Sequence, residues 1–209
     1  MEWTMNKNKT LLIILSLLTI SSLVGCSNEE KEYIDKHTQI VRQATEISKQ
    51  NVLFGEYHME EQELYEIIIS EGEDSINNVQ KQMENALTII NQSKELVKSE
   101  NDSLLVTKTK LDENEPLLSK LRKSNKKSIA LKLDHMYKER MTIYQEALNQ
   151  YDQLLDCEEK LYVAFQNGAE LKEVSEEVDH INEESQKVRN VIQQFNKVTQ
   201  RYNQICEKL

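Results

Sequence analysis

Glycine and proline are almost missing from this 209-residue chain, which has four of the first and one of the second. Both residues punctuate turns and break helices, so their scarcity excludes the turn-rich sandwiches and barrels of all-β proteins and favours long helices. Cysteine is scarce as well: Cys26, Cys157 and Cys206 form no CxxC and no Cys/His zinc spacing, which excludes a disulfide framework and a zinc finger. Net positive charge is lacking, because 26 Lys and Arg face 36 Asp and Glu for a net of −10, and an acidic chain is a poor nucleic-acid binder. Catalytic signatures are lacking too, with no GxSxG, no HExxH, no phosphate-cradling Gly-rich loop and no EF-hand. "DENEPLLSK" from Asp112 alternates acids but has neither the Gly nor the closing Glu of a calcium loop. His37, His58, His135 and His180 lie in different segments, and His37 falls on an apolar seam as a core-edge residue. Glu60-Glu61, Glu158-Glu159 and Glu176-Glu177 are expected on solvated faces, since neighbours on a helix point about 100° apart. The reading therefore assigns no metal, no cofactor and no enzymatic activity.

One long apolar run is present, from Leu11 to Val24. It is shorter than the roughly 20 residues of a membrane-spanning helix and has the length of a secretory h-region, about 7–15. Lys7 and Lys9 supply the positive flank, and Met5 opens a cleaner leader, "MNKNKTLLIILSLL", from which translation is expected to start. Leu23-Val24-Gly25-Cys26 resembles the lipobox of bacterial lipoproteins. That resemblance implies a signal peptide over 1–25, which is removed, and a diacylglyceryl group, of palmitate-type chains, on the thiol of Cys26. Two acyl chains anchor a protein stably where one does not. The expected location is the outer face of the cytoplasmic membrane, with residues 26–209 as one mature domain. Lys7 and Lys9 outweigh Glu2 by one, so that domain carries −11.

The mature part is patterned as long helices. Leu171, Val174, Val178, Ile181, Ser185, Val188, Ile192, Phe195, Thr199, Tyr202 and Cys206 alternate steps of three and four. Ile76, Met83, Ile90, Val97, Leu104, Leu111 and Leu118 recur every seven residues, flanked by Val79, Ala86 and Leu121. Tyr137, Met141, Tyr144, Leu148, Tyr151, Leu155 and Tyr162 form a third seam, widened by Leu154, Leu161 and Phe165. Tyr33, Ile40, Ala44, Ile47 and Phe54 form a first, which changes phase near Gly55. Breaks at Gly72, Asn125 and Gly168 predict four helices over 29–71, 73–122, 126–166 and 169–208, with a kink or restart at Pro116. The fold class is all-α: an elongated antiparallel helical bundle with coiled-coil-like seams. In such a bundle Cys157 and Cys206 lie about 40 Å apart and do not pair. The tyrosines of the third seam are expected in the core rather than on a sugar-binding platform.

One charge feature stands against the acidic background. Lys120, Arg122, Lys123, Lys126, Lys127 and Lys132 follow one another without an acid, around the turn at Asn125. In an up-down-up-down bundle anchored at Cys26 this basic tip returns to the membrane, where each cation near an anionic surface is worth about 1 kcal/mol. The acidic tips around Glu71 and Glu170 point away.

"ELYEIIISEG" (63–72), "KERMTIYQEALNQY" (138–151), "EEKLYVAFQN" (158–167), "HINEES" (180–185) and "FNKVTQRYN" (195–203) resemble the YkyA-type cell-wall-binding lipoproteins of low-GC Gram-positive bacteria. The resemblance spans essentially the whole mature chain and implies a helical-bundle lipoprotein without catalytic residues. The partners expected are the bilayer, through the diacylglyceryl-Cys26, and cell-wall polymer or another envelope protein. An alternative is a protein–protein interaction module serving a membrane partner, with the wide third stripe as its exposed face.

Overall fold

The structure, a computed structural model, describes residues 28–47, 51–72, 79–121 and 125–208. Among the described residues it is an all-α bundle of five helices: α1 (Asn28–Ile47), α2 (Asn51–Gly72), α3 (Gln80–Lys120), α4 (Asn125–Gln166) and α5 (Leu171–Cys206). At 1.5 Å per residue the last three are each roughly 55–65 Å long. α1 and α2 follow one another along α3, antiparallel to it: Tyr33 clusters with Leu118, Ile40 with Leu111, and Ile68 with Met83. α4 lies between α3 and α5 and packs on both.

Where one helix was expected over 29–71, the described residues form two, α1 and α2, and Gly55 sits inside α2. The change of phase near Gly55 also disappears in the packing. Tyr33, Ile40, Phe54, Glu61 and Ile68 all belong to one seven-residue repeat and all are buried. A glutamate occupies the seam at 61, and stepping over it produces a false shift. The same holds elsewhere. Val79, Ala86, Ser93, Glu100, Thr107, Asn114 and Leu121 form one buried line along α3, apolar at its ends and polar in its middle. Pro116 neither restarts nor ends a helix but lies exposed within α3, where Ser119 Oγ donates to its carbonyl at 2.7 Å.

α4 ends in a Schellman turn. Gly168 takes φ 69°, its N–H donates to the Phe165 carbonyl at 3.1 Å, and the Ala169 N–H donates to that of Ala164 at 3.0 Å. The wide stripe of α4 is two faces, not one patch. Leu148, Leu155 and Tyr162 pack against α2 and α3, whereas Leu154 and Leu161 pack against Ile181 and Val188 of α5. Those residues of the stripe are shared between two sets of neighbours inside the bundle, while Leu131 and Val163 of α4 are exposed. Cys157 and Cys206 are free thiols in separate clusters, as the long antiparallel arrangement requires.

Candidate functional site: the basic end and two buried polar clusters

α1 begins two residues beyond Cys26, so its first turn marks the end of the bundle nearest that residue in sequence. The start of α4 lies against that turn: Tyr33 Oη donates to the Ala130 carbonyl at 3.5 Å, and Lys126 Nζ sits 3.8 Å from Glu30 Oε2. The C-terminal end of α5 arrives beside them through Tyr202. The basic residues of this end do different things. Lys127 Nζ donates to the Leu121 carbonyl at 2.9 Å and that of Ser119 at 3.4 Å, closing off orphan acceptors at the end of α3. Lys126 pairs with Glu30, and Lys120 and Lys132 are exposed. Arg122, Lys123 and the expected lipobox residues Leu23, Val24, Gly25 and Cys26 lie outside the described residues, as does the expected signal peptide over 1–25.

Behind the basic end, His37 is enclosed by tyrosines from three helices. Its ring centre is 5.8 Å from that of Tyr33, 5.4 Å from Tyr137, edge-on, and 6.1 Å from Tyr202. His37 Nε2 lies 3.1 Å from Tyr202 Oη. The Arg140 guanidinium stacks 5.7 Å over Tyr137 and 4.7 Å over Phe195, and its Nε donates to Thr199 Oγ1 at 2.9 Å. Burial pushes His37 down to about 4, so the ring is neutral at pH 7. The expected core-edge histidine is in fact fully interior; of the seam tyrosines Tyr137 and Tyr162 are buried, and Tyr144 and Tyr151 are half-buried against the core.

The second cluster overturns two expectations. His58 and Glu61 stand one turn apart on α2, and Glu158 faces them from α4. Their nitrogen and carboxylate oxygens all lie within 4.8 Å of one another. Glu61 and Glu158 are 7% and 6% exposed, so two of the three supposedly solvated pairs have an interior member, while Glu60 and Glu176 remain exposed. Tyr162 Oη donates to Glu61 Oε1, and Gln62 Nε2 lies 3.1 Å from His58 Nε2. Burial raises both carboxyl pKa values, Tyr162 partly offsets this at Glu61, and the charge of Glu61 raises Glu158 further. Burial lowers that of His58. Sequence reasoning passed over this trio because it followed only apolar residues. A signal was present: Glu158 continues the repeat Tyr137, Tyr144, Tyr151, just as Glu61 continues that of Ile40 and Phe54.

No curated protein and no solved structure matches the chain. The YkyA family model, described as "Putative cell-wall binding lipoprotein", matches residues 28–209, every described helix included. The chain belongs to the YkyA family.

Proposed function

We propose that this protein is a lipid-anchored, non-enzymatic helical bundle on the outer face of the membrane, which serves as an envelope-binding scaffold and uses its anchor-proximal basic end. Cys26 carries the diacylglyceryl group, and residues 1–25 are the signal peptide. The observation that supports this best is the contact of Lys126 with Glu30, which sets the basic α3–α4 end beside the first turn after the anchor. Lys120 and Lys132 are exposed there, and Arg122 and Lys123 add to the same charge run. A mature chain of −11 overall is repelled by anionic lipid and by anionic wall polymer, so attraction to either is confined to this end.

The test is co-sedimentation of unlipidated residues 28–209 with sacculi, with and without teichoic acid, and with vesicles containing anionic lipid, over a salt series. Binding to the anionic surfaces is expected, falling with salt. Changing Lys120, Arg122, Lys123 and Lys132 to Glu should abolish it, while Lys126 and Lys127 are left to hold the start of α4 to α1 and to the end of α3. Binding that ignores both salt and these substitutions would remove the basic end from the function and assign it to neutral glycan contacts.

A further inference from the structure

We propose that His58, Glu61 and Glu158 bind a divalent transition-metal ion of the Zn2+ or Mn2+ kind, which clamps α2 to α4. The inference is independent of the anchor and of envelope binding, because the trio lies in the other half of the bundle, away from the basic end.

Four observations carry it. The first is placement. His58-x-x-Glu61 puts an imidazole and a carboxylate on one face of α2, one turn apart, as paired ligands of helical-bundle metal sites are arranged. Glu158 supplies the third donor from a helix 97 residues on. The second is reach. Three donors around an ion at about 2.0–2.2 Å stand roughly 3–3.6 Å apart. The observed 4.8 Å limit leaves side-chain shifts on the order of 1 Å, well within rotamer adjustment.

The third is charge. Two carboxyl groups are buried face to face, and among the described residues no Lys or Arg pairs with either. Glu158 has neither a hydrogen bond nor an ion pair there, although it is nine-tenths buried and directed at the other two. Unpaired buried carboxylates are costly. A bound dication meets that demand. The fourth is the surrounding shell. Tyr162 donates to Glu61 and Gln62 abuts the His58 ring, the kind of outer contacts that orient metal ligands. The mixed donor set separates the candidates, since Ca2+ and Mg2+ are bound by oxygen alone and an imidazole suits the first-row transition metals.

The full chain, in detergent micelles and stripped with chelator, is titrated with Zn2+, Mn2+, Ca2+ and Mg2+. Retained metal is measured by elemental analysis after desalting, and helix melting by circular dichroism. One Zn2+ or Mn2+ per chain is expected, with Tm rising by roughly 5–10 °C at a hundredfold excess over Kd. Glu158→Gln keeps the side-chain shape and should weaken binding about tenfold or more. Wild-type chain that retains no transition metal and melts unchanged overturns the proposal and leaves a carboxyl pair that shares protons. Undiminished binding by both Glu158→Gln and His58→Gln overturns it as well, by placing the ion elsewhere. If the variants fail to fold, the wild-type titration and melt decide alone. Envelope binding that fails while metal binding holds, or the reverse, separates this site from the proposed function.

Discussion

His37 is neutral because Tyr33 of α1, Tyr137 and the stacked Arg140 of α4, and Tyr202 of α5 leave it no water. Its pKa is about 4 when folded against about 6.5 when unfolded. Between those values the unfolded chain takes up a proton that the folded chain refuses, so the sign is fixed: this residue removes stability as pH falls through that window. The full effect is about 3 kcal/mol. His37→Gln keeps a polar group against Tyr202 and cannot titrate. Denaturant melts at pH 7 and pH 4 should therefore show the variant gaining on wild type by about that amount as the pH drops. A difference that stays constant with pH would mean the ring is hydrated.

At the scale of the element, α3 runs a buried line whose middle is polar: Ser93, Glu100, Thr107 and Asn114. Glu100 accepts from Tyr144 Oη at 3.0 Å, and Thr107 satisfies itself on the Ser103 carbonyl at 2.9 Å. Asn114 is different. It is 3% exposed, and neither its amide nitrogen nor its oxygen meets a partner among the described residues. A buried amide left unsatisfied costs about 1–3 kcal/mol, and leucine has a similar volume. Asn114→Leu is accordingly expected to stabilise the bundle by about 1–2 kcal/mol in equilibrium unfolding. A loss of stability would instead give the amide a bound water and a role in register. The helix itself was legible in the apolar repeat of Met83, Ile90, Val97, Leu111 and Leu118, all buried. The polar line beside it was not, because propensity and pattern say nothing about which polar residue a neighbour covers.

In the whole molecule, α4 is the central element, held to α3 by two charged clusters. Lys138 reaches Glu115 at 3.0 Å, Asp134 at 3.1 Å and Asp112 at 3.7 Å, and Lys94 meets Asp156 at 2.6 Å from the other side. The antiparallel run of α4 and α5 leaves Cys157 near Ile181 and Val188 and takes Cys206 to Tyr202. Burial raises both thiol pKa values, so each is a poor nucleophile. Mild oxidation followed by non-reducing denaturation should therefore leave both thiols alkylatable, with no intrachain cross-link in the intact mass. A Cys157–Cys206 bond would require α5 to be packed in the opposite direction.

The fold class, the long helices, the turn at Gly168 and the basic run were legible in the residues alone, because these depend on local terms: glycine and proline scarcity, heptad spacing and charge order. The residues also carried the family, through motifs spread over the whole matched range. It took the packing of the helices to show that the first segment is two helices, that the wide stripe of α4 serves two sets of neighbours, and that Lys126 stands by Glu30. That packing alone brought His58 and Glu61 to Glu158, since the burial of a glutamate depends on which residue, 97 positions away, comes to face it.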